Sequence, residues 1–131
     1  MLIVTSIFAS LLTAIYIKLA LNVINLRRKS KIPLGNGGLA DLEKAVRSHG
    51  NFSEYVPIAL ILMACLELNG APWWLVTIYG ITLSIGRLFH AIGIKQEPES
   101  FNNRIRGMKL TLNTLIALIV TNLGWVIFKL I

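Results

Sequence analysis

Glu43, Arg47, Asn51 and Glu54 recur at intervals of four, four and three residues, which on an α-helix gathers them within an arc of about 80°. The stripe offers two acids, a cation and an amide on one face, with Tyr55 at its edge and His49 pointing to the other side. Further along, Arg87 and His90 share a helical face, and Arg104 and Arg106 lie close together. Lys18, Asn22, Asn25 and Lys29 follow a four, three, four spacing on another. Several arginines with Asn and Glu partners suit a small anionic ligand carrying carboxylates, because a guanidinium fork matches carboxylate geometry. An interhelical ion-pair network among Arg47, Glu54 and Arg87 is the competing reading of the same positions.

Other chemistries find no support in the residue pattern. Gly35 to Gly38 is not followed by the Lys and Ser or Thr of a phosphate-binding loop, and no Ser-His-Asp set or metal-ligand cluster stands at working spacing. Cys65 is the lone cysteine, which excludes an internal disulfide and a zinc ribbon; on an apolar helix it reads as a small packing residue. If the chain is an enzyme, its nucleophile comes with a cosubstrate. An arginine beside a bound thiol would hold it as the reactive thiolate.

The elements that must position these groups are membrane helices. Of 131 residues, 55% are hydrophobic and 15% charged, against roughly 25% charged in a soluble domain, and the mean hydropathy is +0.69. Four apolar stretches, residues 2–26, 52–68, 73–94 and 108–131, each approach the ~20 residues that span a bilayer. The fold class is therefore all-α, an integral membrane four-helix bundle forming a single domain over residues 1–131. No basic residue precedes the first stretch and a basic cluster follows it, which is not the pattern of a cleaved signal peptide.

The net charge of +7 is assigned to the membrane surface, and no nucleic-acid partner is expected. Most of the positive charge, nine of the thirteen Lys and Arg, sits in residues 27–50 and 95–107, whereas Asn69-Gly70-Ala71-Pro72 carries none. Both basic connections are then cytoplasmic and both termini outside, with Trp73, Trp74 and Trp125 at the outer interface. Arg27 to Lys31 anchors to anionic membrane lipid. Pro33 to Gly38 forms a turn, a second helix starts near Asp41, and Pro57 kinks that helix.

Residues 42–57, Leu-Glu-Lys-Ala-Val-Arg-Ser-His-Gly-Asn-Phe-Ser-Glu-Tyr-Val-Pro, resemble the helix-two signature of the MAPEG family, the membrane-associated proteins in eicosanoid and glutathione metabolism. Its core is Arg47, Asn51, Glu54, Tyr55 and Pro57. The basic end of helix one, Gly86-Arg87-Leu88 and the Arg-rich start of helix four agree along the whole chain. Gly35-Asn36-Gly37-Gly38 and the short length resemble the compact bacterial branch, placing the chain in a bacterial inner membrane.

The resemblance implies a homotrimer that holds glutathione in a U shape between neighbouring subunits at the cytoplasmic side. Carried over by position, Arg47, Asn51, Glu54 and Tyr55 bind glutathione, and Arg27 assists across the interface. Arg106 stabilises the thiolate, with Arg104 close enough to leave the register between them open. Where some members carry tyrosines on helix three, this chain has His90 and Ile94; His90 can still donate a hydrogen bond and joins the binding set. The implied activity is a glutathione-dependent transferase or peroxidase acting on lipophilic electrophiles or lipid hydroperoxides. Two alternatives stand beside it: a non-catalytic lipid-binding scaffold of the same fold, and a small multidrug transporter. The transporter reading lacks the carboxylate expected in helix one.

Overall fold

The computed structural model describes residues 1–95 and 101–131. Four helices follow one another: α1 (Ile3–Ser30), α2 (Ala40–Leu68), α3 (Trp73–Lys95) and α4 (Phe101–Leu130). Each is long and apolar enough to cross a membrane, and the chain is an integral membrane protein. Helices α2 and α3 each touch the other three; among the described residues α1 and α4 stand at opposite corners without meeting.

Hydropathy alone drew the helix ends too short. Helix α1 continues past its apolar run and carries Arg27, Arg28 and Lys29 in its last turn, where cations favour the negative end of the helix dipole. Its end is closed by the Lys31 and Ile32 N–H groups, which donate to the carbonyls of Arg28 and Arg27, with Lys31 left-handed at φ 56°. The connection is thus residues 31–39, not 27–50. Helix α4 likewise starts at Phe101, so Arg104 and Arg106 lie within it rather than ahead of it. The second basic connection runs through residues 96–100, which lie outside the described residues. Helix α2 opens at Ala40 with Asp41 and Glu43 in its first turn, close to the expected start, and continues through Pro57.

The core is a column of aliphatic and small side chains: Leu12 and Leu19 from α1, Phe52, Val56, Ala59, Met63 and Leu66 from α2, Val76 and Leu83 from α3, and Leu118 from α4. Most other large apolar residues point outward, among them Ile7, Leu11, Ile61, Ile116, Val120 and Ile127. In water that surface would be untenable, and in a bilayer it is the lipid- or neighbour-facing side. Cys65 belongs to it: the thiol-bearing residue is exposed rather than packed in the core, because its position falls on the outward face of α2 with Ile58, Ile61 and Leu68.

The two ends of the bundle differ. One carries the basic termini of α1 and α4. The other carries Trp73 and Trp74, both exposed, and Trp125, whose indole N–H donates to the Asn69 carbonyl at 3.0 Å. At this aromatic end the Glu67 carboxylate accepts the Val4 N–H at 2.9 Å and the Thr5 N–H at 2.8 Å. It thereby satisfies two of the free donors that every helix start presents and pins α1 to α2.

Candidate functional site

The polar stripe of α2 does face a cavity. Arg47, Asn51 and Glu54, with Val46 and Gly50 between them, form one wall of a space of about 450 Å³ closed by His90 of α3 and Arg104 of α4. That volume falls within the ~300–1,000 Å³ of small-molecule sites. Arg47 and Glu54 are exposed, Asn51 is half-buried and His90 is buried. Glu43 continues the stripe but is engaged elsewhere, its carboxylate accepting from Asn36 Nδ2 at 3.1 Å.

Behind this wall lies Arg87, only 2% exposed. A guanidinium has five N–H donors and no acceptor, and here it finds uncharged partners. Nη1 donates to Asn51 Oδ1 at 2.7 Å. Nε and Nη2 donate to Thr111 Oγ1 at 3.0 and 2.7 Å, and the Thr111 hydroxyl in turn donates to the Gly107 carbonyl at 2.9 Å. The Arg87 carbon Cζ lies 5.5 Å from the centre of the Tyr55 ring, a cation–π distance. The ion-pair network joining Arg87 to Glu54 is therefore not what the molecule builds: Asn51 and Thr111 take the guanidinium's donors, and it ties α2, α3 and α4 together.

Glycines set how closely α3 and α4 approach. A Cβ on Gly93 would meet the Arg104 backbone N at 2.6 Å, and one on Gly107 would meet His90 N at 2.5 Å and Gly86 O at 2.6 Å. Only a missing side chain permits such contact. This close approach fixes His90 and Arg104 across from each other at the cavity mouth.

The expected site residues divide by where the fold puts them. Arg47, Asn51, Glu54, His90 and Arg104 meet at one cavity. Tyr55 lies beneath them, against Arg87. Arg106 does not line that cavity; two residues on from Arg104 it is rotated by about 200° and is exposed. Arg27 is bound into its own connection, donating to the carbonyls of Gly35 at 2.9 Å and Ile32 at 3.4 Å. The Ile94 side chain lies outside the described residues. Thr111 was missed by sequence reasoning; the sole signal was its seven-residue spacing from Arg104, with Gly107 and Met108 on the same α4 face.

His49 does turn away from the stripe, toward α1, where its ring lies 4.8 Å from that of Tyr16. Beside this pair, between α1 and α2, a second cavity of about 360 Å³ is walled by Leu12, Thr13, Tyr16, Phe52, Ser53, Val56, Pro57 and Leu60. It is mainly apolar and lies further along α2, against residues 52–60 where the polar one is lined by residues 46–54.

Four helices long and apolar enough to cross a membrane, with a polar cavity toward their basic end, define a four-helix membrane bundle. The sequence profile of the MAPEG family matches residues 5–124. The chain is also 37% identical, over 128 residues, to the inner membrane protein YecN of Escherichia coli strain K12, a match covering 98% of this chain and 96% of that protein. The YecN protein of E. coli O6:H1 matches to the same extent. This chain belongs to the MAPEG family, which leaves the transporter reading without support.

Proposed function

We propose that the polar cavity binds glutathione as cosubstrate and that the protein is a glutathione-dependent transferase or peroxidase of the inner membrane. The observation that carries this reading is the meeting of Arg47, Asn51, Glu54, His90 and Arg104 around one cavity. Glutathione has two carboxylates, one ammonium and one thiol. Arg47 matches a carboxylate, and Glu54 is the only carboxylate among the described residues of the wall to meet the ammonium.

Of the two arginines that line the cavity, Arg104, across from the α2 stripe on α4, is assigned the thiolate. A nearby cation favours the charged sulfur, which then attacks an electrophilic carbon as its leaving group departs, or attacks a hydroperoxide oxygen, breaking the O–O bond to release the alcohol and leave a sulfenic acid that a second glutathione converts to glutathione disulfide and water. Arg106 and Arg27 serve the site from a neighbouring subunit in the homotrimer that the family implies. The basic end is cytoplasmic, where the thiol would be supplied.

The apolar cavity between α1 and α2 supports a second reading, a lipid-binding scaffold without catalysis, and under the first reading it is a place for the lipophilic substrate. Glutathione consumption with a panel of lipophilic electrophiles and hydroperoxides separates the two. Turnover that falls at least tenfold in Arg104→Leu, against a smaller loss in Arg106→Leu, is the expected result; the reverse order would move the thiolate to Arg106. No turnover with any substrate, alongside lipid binding, supports the scaffold.

A further inference from the structure

We propose that Arg87 is a positioning residue that sets the hydrogen-bonding polarity of Asn51, turning the amide nitrogen toward the cavity and making the wall selective for an acceptor group. The inference rests on the glutathione reading only for the identity of the ligand; the pairing of the two residues rests on geometry.

An asparagine side chain can present either its oxygen or its nitrogen, and the two are interchangeable in shape. Here the choice is forced. Arg87 can only donate, and its Nη1 stands 2.7 Å from one end of the Asn51 amide, so that end must be the oxygen. Thr111 holds the guanidinium from the other side through two bonds and is itself fixed by the Gly107 carbonyl, so the guanidinium cannot swing away. Asn51 Nδ2 has no hydrogen-bond partner among the described residues, and Asn51 lines the cavity. The amide thus offers two N–H donors to the space it shares with Arg47 and Arg104. A buried guanidinium whose partners are all neutral also leaves its charge behind that wall, which adds to the preference for an anion. The ligand group at this position is a carboxylate or carbonyl oxygen, and Glu54 is the only acidic side chain among the described residues of the wall.

The test compares Asn51→Asp with Asn51→Leu in the detergent-purified full-length protein, reading the thermal midpoint without ligand and glutathione affinity by calorimetry. Asp keeps an oxygen for Arg87 and gains its charge, so the midpoint should equal or exceed that of the wild type, whereas Leu should lower it. The same Asp presents an acceptor to the cavity where Asn presented donors, so glutathione binding should weaken by about tenfold or more. In an Arg87→Gln background, which no longer fixes the amide, the Asn51→Asp penalty should shrink by about threefold or more. An Asn51→Asp protein that binds glutathione as the wild type does would overturn the orientation, and one with a midpoint as low as Asn51→Leu would overturn the pairing. A wild type that ignores millimolar glutathione would overturn the ligand reading and the selectivity drawn from it, while the midpoints still decide the pairing.

Discussion

Replacing Gly107 by alanine tests whether the α3–α4 contact builds the site. The added methyl would stand 2.5 Å from His90 N, 2.6 Å from Gly86 O and 2.9 Å from His90 Cα. All three are backbone atoms, so no rotamer change can relieve the clash. Restoring ordinary contact near 3.4 Å parts the helices by about 0.9 Å at this point. That movement carries Thr111 away from Arg87, stretching bonds now at 3.0 and 2.7 Å beyond useful hydrogen-bonding range. Overpacking costs about 1–3 kcal/mol, and a weakened bond to a buried charged group adds about 1.5–3 kcal/mol. The helix propensity of alanine returns about 1 kcal/mol, for a net loss of about 1.5–5 kcal/mol. Unfolding followed by circular dichroism in detergent micelles would read this loss. The matched control is Gly124→Ala in the same helix, where a Cβ meets nothing within 4 Å; it should be neutral or gain up to about 1 kcal/mol. A Gly107→Ala protein as stable as Gly124→Ala would refute the close-contact argument.

Three further substitutions probe separate links. Glu67→Ala strips the Val4 and Thr5 amides of their acceptor and should cost about 2–3 kcal/mol, with faster hydrogen exchange at those two amides; unchanged exchange would show that the carboxylate does not hold α1. Gly50→Ala places a methyl in open space at the cavity wall, so the protein should gain up to about 1 kcal/mol while glutathione affinity falls, and a variant with unaltered affinity would place the ligand away from this face. Arg27→Met removes the donor to Gly35 and Ile32 and should open residues 31–39 to limited proteolysis, whereas wild-type resistance would mean that the guanidinium is not what folds the connection.

Much of this architecture was legible in the sequence because a membrane imposes one dominant requirement. Four apolar stretches gave four helices, and the spacing from Glu43 to Glu54 correctly placed Arg47, Asn51 and Glu54 on one face. Helix ends were less legible, since hydropathy marks where a segment leaves lipid and not where its hydrogen bonding stops; α1 and α4 both extend past that point. For Arg87 the sequence leaves a ligand-facing cation and an ion-pair member as competing readings because charge is visible in a sequence, whereas the neutral acceptors Asn51 Oδ1 and Thr111 Oγ1 become its partners only through three-helix packing. Resemblance alone favours Arg106 over Arg104 as the thiolate partner and leaves the register between them open, and the Gly93–Arg104 approach brings Arg104 rather than Arg106 to the cavity. Cys65 was misplaced because an apolar helix in a bilayer has an exposed apolar face, so hydrophobic surroundings in sequence do not imply burial.

The central claim is that the arginine-lined cavity is a glutathione site, and the most direct measurement is calorimetric titration of glutathione into the detergent-purified wild type and Arg47→Ala, with the ultraviolet thiolate band recorded near neutral pH. The account predicts binding at or below millimolar concentration, a thiolate signal on binding, and affinity about tenfold or more weaker in Arg47→Ala. No binding to the wild type at millimolar glutathione, or equal binding to Arg47→Ala, would contradict it.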